Sequence, residues 1–365
     1  MLQHLHNVLP SKTSLPLSRV FSLGVSTLLV PPTSPPIPSP PKALPPALRY
    51  TDIAVNLTDP QFQGVYNNKN YHPSDFDDIL SRCVAAGVHR LIITGTDVKS
   101  SEEAMKMARS INASRRFPGL HVYSTVGVHP TSTGSLGSAP PEKVEAALLA
   151  LAVDGMRDNT VVMIGECGMD MDRLHFSSEE CQRKYFPLHL RLARTTSLPL
   201  FLHDRSTQGA LLRLVEEHGG LPSSGGVVHS FTGTPQEVHH LITQTPLMVG
   251  LNGCGLKTSE NCAAAALIPL DRLLLETDAP WCSIKPTSPA YKFTLGAGEG
   301  GGRVGVKREK FVPGCLVKDR NEPSLTPLVA LAYAGLTGVP LEVVAAAAEE
   351  NVRKLVGRFM TKEDA

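Results

Sequence analysis

The sequence predicts a (β/α)8 barrel, preceded by a segment of different composition at residues 1–48. Two observations support this fold class. Short apolar runs recur eight times from Tyr50 onward, with longer stretches of helical periodicity between them. Most of these runs lack polar alternation, which is typical of strands covered on both faces in a parallel sheet. Eight alternations of strand and helix fit a closed barrel with insertions, and an open, doubly wound sheet is the alternative.

The eight apolar runs are the predicted strands, and helices are predicted between them. Two of the intervening segments begin with the letters SSEE, at 100–103 and 177–180, so each offers a serine cap followed by glutamates in a first helical turn. A long amphipathic stretch at 341–359 is predicted to be a closing helix with a structural role. The predicted strands are DIAVNL (52–57), RLIITGT (90–96), HVYSTVGVHP (121–130), VVMIGE (161–166), LPLFLHD (198–204), GGVVHSF (225–231), PLMVGLNG (246–253) and RLLLETDAP (272–280).

The composition is that of an ordinary globular protein. Of 365 residues, 42% are hydrophobic and 19% are charged, and the formal net charge is +1. A chain so close to neutral has no overall attraction for nucleic acid, so any such binding must be local. The seven cysteines contain no Cys-x-x-Cys pair, and no apolar run approaches the roughly 18 residues of a membrane span. We therefore expect a soluble intracellular protein of the cytoplasm or nucleus, with reduced thiols, no membrane contact and no obligate protein partner.

Residues 1–48 are a Pro/Ser-rich leader. The stretch holds eleven prolines, and no Asp or Glu precedes Asp52. Such a segment cannot pack a core, so we expect it to be extended or disordered. Its acid-free, Ser-rich front resembles an organellar transit peptide, and an untargeted disordered extension is the alternative. The predicted barrel domain then occupies residues 49–360.

Polar residues mark the ends of several predicted strands. Glu166, His203, His229 and Asp278 each follow apolar residues where a run ends, and His129 ends the third run in the same way. In a barrel, the carboxyl ends of all strands open on one face, where active sites are built. A carboxylate after a fully buried strand is costly unless it is paired or binds a metal. Two imidazoles and two carboxylates suit a divalent cation, so the sequence predicts a metal site at this face.

Each of these residues also has a structural interpretation. A single histidine at a strand end is more often a hydrogen-bonded structural residue than a ligand. Asp278 precedes Ala-Pro and can cap a turn, and Glu166 can pair with an arginine such as Arg205. Several such coincidences at the same end of successive strands are much less expected than one shared site. The metal site is therefore the preferred interpretation.

The ordered set of motifs resembles the TatD family of metal-dependent deoxyribonucleases. ETDAP alone is only modestly specific, but the motifs together are specific because they span residues 51–323 in order. The resemblance implies a TIM barrel of the metal-dependent hydrolase type at residues 49–360, which cleaves phosphodiester bonds in DNA with a divalent ion. The motifs are DIAVNLTDPQF, LIITGT, TVGVHPT, IGECGMDMDR, FLHDR, VVHSFTGT, GLNGCGLKT, LLLETDAPW and KDRNEP.

The resemblance also implies roles for individual residues. Glu166 matches a metal ligand that can bridge two ions, and His203 and His229 match further ligands. Asp278 matches a position that is both a ligand and the catalytic base. His129 matches a catalytic residue near the scissile phosphate. The predicted substrate contacts are Asn56, Arg205 and Arg320, and a role in bracing the site is the alternative for Arg320.

One position departs from many relatives. Their first strand begins with His-x-His, whereas this chain has Ala54 and Asn56. An amide oxygen is a weaker ligand than imidazole, so we expect the second metal position to be incomplete until substrate phosphate arrives. One or two ions are therefore predicted. Hard oxygen ligands favour magnesium or manganese, and two imidazoles also suit zinc.

The leading prediction is a divalent-metal deoxyribonuclease that trims DNA from 3′ ends, with DNA as its partner. The alternatives are a barrel amidohydrolase acting on a small molecule and a non-catalytic binding protein. The amidohydrolase class usually carries His-x-His on strand one and often a carbamylated lysine, and no predicted strand here ends in lysine. The binding-protein alternative rests only on Asn56. A nuclease assay with and without a chelator distinguishes all three.

Overall fold

The eight-stranded barrel predicted from the sequence is present. The computed structural model describes residues 48–295 and 305–361, and within them parallel strands alternate with helices. The order of the strands around the barrel is their order in the chain. Two short strands, β2 (Val65–Tyr66) and β3 (Lys69–Asn70), form a separate antiparallel hairpin. The barrel strands are β1 (Tyr50–Val55), β4 (Val88–Ile93), β5 (His121–Val126), β6 (Val161–Asp170), β7 (Leu200–Arg205), β8 (Gly226–His229), β9 (Met248–Leu251) and β10 (Leu273–Leu275).

The barrel closes where its first strand, β1, meets its last strand, β10. The pairing there is one isolated parallel bridge between Val55 and Ala279, just beyond the three-residue strand β10. Backbone hydrogen bonds just beyond the strand complete it: Asp278 N donates to Ala54 O at 2.9 Å, and Asn56 N donates to Ala279 O at 2.8 Å. The closure therefore runs through two predicted site residues, Asn56 and Asp278.

The helices cover the outside of the barrel, and their starts follow from local capping. Helix α2 begins at Val98, two residues before the letters SSEE: Asp97 is its cap and bonds reciprocally with Ser100 in a capping box. Helix α4 begins as predicted, with Ser178 as its cap. The helices are α1 (Phe76–Ala85), α2 (Val98–Ser114), α3 (Pro141–Arg157), α4 (Glu179–Thr196), α5 (Ala210–Glu217), α6 (Pro235–Gln244), α7 (Ser259–Ala265), α8 (Thr326–Thr337) and α9 (Leu341–Val356).

The apolar core has two layers. The larger layer lies between the outer face of the sheet and the helices. The smaller layer fills the barrel interior with side chains such as Tyr123 and Phe201, and Val352 and Leu355 of α9 belong to it. Asn351 of α9 donates to the carbonyl of Leu273 at 2.9 Å, at the start of β10. The closing helix thus covers the amino end of the barrel and leaves the carboxyl ends of the strands for the site.

The predicted leader lies outside the described residues except for Leu48, and the Gly-rich stretch at 296–304 also lies outside them. Among the described residues, no single helix is long and apolar enough to cross a membrane. The pair Pro323–Thr337 and Leu341–Phe359, bent by 118°, passes that test of length and composition only when its two parts are taken together.

Candidate active site

A cavity of about 760 Å³ opens at the carboxyl ends of the barrel strands. Its walls come from residues at or just beyond the ends of β1, β5, β6, β7, β8 and β10. The barrel thus brings together side chains that lie far apart in the sequence. Of the residues predicted for the site, those that line this cavity are Asn56, His129, Glu166, His203, Arg205, His229 and Asp278.

Glu166 is the centre of the group. One carboxylate oxygen, Oε1, lies 2.8 Å from Nδ1 of His203, 2.6 Å from Nε2 of His229 and 3.3 Å from Nε2 of His129. The side chain is only 7% exposed. Strand β6 continues for four residues beyond Glu166, to Asp170, so this carboxylate lies within the strand and not at its end as predicted.

Two further carboxylates, which the sequence analysis missed, lie behind the histidines. Asp170 Oδ2 is 3.2 Å from Nε2 of His203, and Glu276 Oε1 is 3.7 Å from Nδ1 of His229. Both are fully buried. The sequence did contain a signal for each, because Glu276 is the first polar residue after the run LLL and Asp170 ends the motif GECGMD.

The histidines control the charge of Glu166. Burial opposes ionisation, but the neighbouring His229 and His129, with hydrogen bonds from His129 and His203, outweigh it and hold the pKa of Glu166 well below its usual range. Burial also disfavours a charged His229, yet Glu166 and Glu276 raise the pKa of His229 well above its ordinary value. The carboxylate is therefore ionised, and its charge is compensated by imidazoles.

His203 and His129 respond to the same carboxylate in opposite directions. For His203, hydrogen bonds with Asp170 and Glu166 outweigh burial and raise its pKa. For His129, burial is the larger effect and lowers its pKa, although Glu166 opposes the shift. Nδ1 of His129 accepts from the backbone N–H of Thr131 at 3.1 Å. A neutral His129 therefore carries its proton on Nε2, which faces Glu166.

Asp278 lies beside this group and is held by two neighbours. Nδ2 of Asn56 donates to its Oδ1 at 2.9 Å, and the thiol of Cys282 donates to its Oδ2 at 3.3 Å. Burial raises the pKa of Asp278 to about 6; His229 opposes this shift, while Glu166 adds to it. The amide nitrogen of Asn56, and not its oxygen, faces the carboxylate.

The two predicted arginines differ in position. Arg205 lines the cavity, and its Nε donates to Asp172 at 3.1 Å, so its partner is not Glu166. Arg320 lies outside the cavity with its side chain 1% exposed, and its two terminal nitrogens bond Asp75 at 2.7 and 2.5 Å. A direct substrate contact through Arg320 does not fit this position, because the guanidinium is enclosed and paired. It braces the chain after β10 against the start of α1.

The donor set fits a divalent metal ion. His129, Glu166 and His203 offer ligand atoms that all lie within 4.8 Å of one another. His203 directs Nδ1 at Glu166 and Nε2 at Asp170, an arrangement typical of metal-ligating histidines, whose second nitrogen is held by a carboxylate, carbonyl or water. His229 directs Nε2 at Glu166, while its buried Nδ1 lies 3.7 Å from Glu276 without a hydrogen bond among the described residues.

Comparisons with known proteins agree with this geometry. Residues 51–357 match the model of a family described as "TatD related DNase". "Deoxyribonuclease Tat-D" of Schizosaccharomyces pombe is 40% identical over 86% of this chain and 97% of its own length. "3'-5' ssDNA/RNA exonuclease TatD" of Escherichia fergusonii is 33% identical over 84% and 98%, respectively. The solved structure of a TatD-family hydrolase from Entamoeba histolytica is 31% identical, covers 85% of this chain and 98% of that chain, and has a TM-score of 0.76.

The fold and the site define a TIM-barrel hydrolase whose strand ends carry a group able to hold a metal ion. Within that class, the chain belongs to the TatD-related DNase family. It is thus a hydrolase of the deoxyribonuclease type, which acts on phosphodiester bonds. The family predicted from the motifs is confirmed.

Proposed function

We propose that this protein is a divalent-metal-dependent deoxyribonuclease that removes nucleotides from the 3′ end of DNA. The observation that carries the proposal is the convergence of three imidazole nitrogens on Oε1 of Glu166. The 3′ to 5′ direction is supported by the name of the Escherichia fergusonii relative, a 3'-5' ssDNA/RNA exonuclease. Magnesium or manganese is the proposed ion, and the imidazoles are also compatible with zinc.

The residues proposed to hold the ion are those that match ligand positions in the motifs, Glu166, His203, His229 and Asp278. Of these, Glu166 and His203 also belong to the group of ligand atoms that lie within 4.8 Å of one another. When bound there, a divalent cation supplies Lewis acidity, which lowers the pKa of water and offsets charge on the phosphate. Asp170 contributes by fixing the ring orientation of His203, since it receives the ring nitrogen that faces away from Glu166. Glu276, 3.7 Å from Nδ1 of His229, contributes negative charge that favours a protonated ring.

Asp278 is the proposed general base. It lines the cavity, and the amide of Asn56 fixes the position of one of its oxygens at 2.9 Å. In the protein without an ion, burial raises its pKa to about 6, so the carboxylate is ionised near neutral pH and can accept a proton from a water. Asn56 therefore acts on the substrate only through Asp278.

His129 is the proposed donor to the phosphate. Its Nδ1 accepts from the N–H of Thr131, so a neutral ring carries its proton on Nε2, which faces Glu166 in the protein without substrate, at the wall of the cavity. Burial keeps the ring neutral, and a neutral N–H can donate a hydrogen bond to a phosphate oxygen where negative charge develops. Arg205, at the cavity wall, adds a positive charge for the same phosphates.

The test is digestion of a single-stranded oligonucleotide labelled at its 5′ end, with magnesium or manganese and with EDTA. We expect a ladder of 5′-labelled products that shorten one nucleotide at a time, and no products with the chelator. Glu166→Ala should lower the rate by at least ~100-fold, since it removes the oxygen shared by three imidazoles. Circular dichroism should show that this variant is folded.

Glu180→Ala is the matched control, because Glu180 is an exposed glutamate on α4; its rate should equal that of the wild type. Normal activity of a folded Glu166→Ala protein would contradict the proposed centre. Internal fragments instead of a ladder would contradict the exonuclease proposal alone. Hydrolysis of small amides or esters with no action on DNA would favour an amidohydrolase, and no activity on either would favour a binding protein.

A further inference from the structure

Two large aromatic side chains are exposed at the mouth of the cavity. Phe176 is 62% exposed and Trp281 is 53% exposed, and both line the cavity that contains Glu166. Exposure of rings this large leaves apolar area in water, which is unfavourable for a free protein. When such rings border a polar site, they mark a surface that is covered by a ligand.

The two rings are carried by segments that follow strands on opposite sides of the barrel. Phe176 lies in the loop after β6, and Trp281 follows β10. These strands are the fourth and the eighth of the eight around the barrel, so they are half a turn apart. Glu166 is on β6 itself, and His203 and His229 are on β7 and β8, which lie between the two strands. A DNA strand that crosses the mouth past these residues therefore meets one ring on each side.

The backbone that carries Phe176 is held firmly. Its N–H donates to Arg173 O at 3.0 Å, and the next residue, Ser177, bonds Thr133 at 2.6 Å. Gly134 packs so closely that an added Cβ would lie 2.5 Å from the carbonyl oxygen of Phe176. Because the backbone is fixed while the ring is exposed, the ring is presented to the cavity in advance of binding.

The backbone that carries Trp281 is fixed in the same way. Its N–H donates to Asp278 O at 3.0 Å, and Asn321 N donates to the preceding Pro280 O at 2.9 Å. Trp281 also borders a neighbouring pocket of about 310 Å³, which is lined by Lys257 and by Lys285, whose amine lies 3.4 Å from Asp319 in the same lining. A polynucleotide that passes Trp281 therefore reaches amines that suit its next phosphate.

We propose that Phe176 and Trp281 stack on the bases of the nucleotides on either side of the scissile phosphate of single-stranded DNA. This rests on the proposed nuclease function and assigns it a base-stacking subsite on each side. Aromatic rings stack on any base, since every base has a π face, so the subsites select for unpaired bases and not for sequence. Paired bases have their faces covered by neighbours, and a duplex must therefore unstack before it fits.

Trp281 allows a direct test, because it is the only tryptophan in the chain. A single-stranded phosphorothioate oligonucleotide, which resists hydrolysis, is titrated into the metal-loaded protein while tryptophan emission is recorded. We expect emission to be quenched, with clearly less quenching by an abasic strand of equal length and by a blunt duplex. Phe176→Ala should raise Kd by about 5- to 100-fold, the equivalent of 1–3 kcal/mol for one stacked base.

Two variants act as controls, and both should retain the wild-type Kd. Phe176→Tyr keeps the aromatic ring. Leu267→Ala removes a 49% exposed apolar side chain that precedes β10, away from the mouth. In assays of hydrolysis, Trp281→Ala should raise KM more than Trp281→Phe, with a smaller effect on kcat.

The outcomes separate the two proposals. Hydrolysis of DNA with equal quenching by intact and abasic strands would overturn the stacking inference alone. An unchanged Kd for Phe176→Ala would remove Phe176 from it. The absence of both DNA binding and DNA hydrolysis in the wild type would overturn the proposed function together with the stacking.

Discussion

Glu166 shows at the scale of one residue how a charge is kept inside a barrel. A buried, unpaired carboxylate is strongly unfavourable. Here three imidazoles surround one oxygen, and two of them are backed by Asp170 and Glu276. The imidazoles lie around the carboxylate of Glu166, and the carboxylates of Asp170 and Glu276 lie beyond two of these imidazoles. The charges therefore offset one another before any cation binds. The geometry of the group is thus prepared in advance.

Asn56 leads to a prediction about the number of ions that bind tightly. In the protein without DNA, we expect one ion to bind tightly, because the position that His-x-His would complete is occupied by an amide that donates to Asp278. Isothermal titration with manganese should show one strong site, and a second should appear when a nucleotide is added. Asn56→His should strengthen the second site without DNA. Two equally tight ions in the wild type would contradict this account.

At the scale of elements, helix α4 supports the site from behind. Its His189 accepts a hydrogen bond at 3.0 Å from the N–H of Val128, the residue before His129, and contacts Phe186 O at 3.2 Å. The ring is buried, and burial lowers its pKa to about 4. A helix in the outer layer thus fixes the backbone that presents a proposed catalytic histidine.

His189 predicts a defined pH dependence of stability. In the unfolded chain its pKa returns to about 6.5, so between pH 6.5 and 4 the unfolded state binds more protons than the folded state. The free energy of unfolding therefore falls as pH falls through this window, by up to about 3 kcal/mol for this group. His189→Gln keeps an acceptor but does not titrate.

The measurement is urea denaturation of wild type and His189→Gln at pH 7 and at pH 4. The free energy of unfolding of His189→Gln, minus that of the wild type, should be larger at pH 4 than at pH 7. His218→Gln, at an exposed histidine after α5, is the control and should follow the wild type. Parallel behaviour of His189→Gln and wild type would contradict the prediction.

The elements also show what the sequence could and could not predict. Apolar runs located every barrel strand because strands buried on both faces leave that pattern. The same pattern does not show where pairing ends: β6 extends to Asp170 because Gly168 and Asp170 still pair with His203 and Arg205 of β7. Asp170 was missed for this reason. The start of α2 was misplaced because Asp97, with serine at its third helical position, caps as well as Ser100 would.

Four of the site residues could be placed from the sequence, whereas the position of Arg320 could not. Glu166, His203, His229 and Asp278 follow apolar runs, and a parallel barrel brings such positions to one face. The position of Arg320 was not predictable, since its partner Asp75 lies 245 residues away in the sequence. A motif therefore identified the residue but not the direction of its side chain.

For the whole molecule, the boundary of the folded part remains a prediction. We expect residues 1–47 to be dispensable for catalysis, because their composition cannot form a core. Leu48 should be kept, since it is half-buried and packs against the core. A chain that begins at Leu48 should match the full chain in nuclease rate and in Tm. A loss of several degrees in Tm would show that the leader packs on the barrel.

The closure between β1 and β10 has a consequence for the time at which the protein becomes active. Asn56 and Asp278 lie 222 positions apart, and their contact joins the beginning of the barrel to its end. During synthesis the amino-terminal strands emerge first, so Asp278 cannot reach its place until the last strand has been made. A chain that ends before Asp278 therefore lacks the proposed base. The proposed nuclease activity thus requires that the last strand of the barrel has been joined to the first.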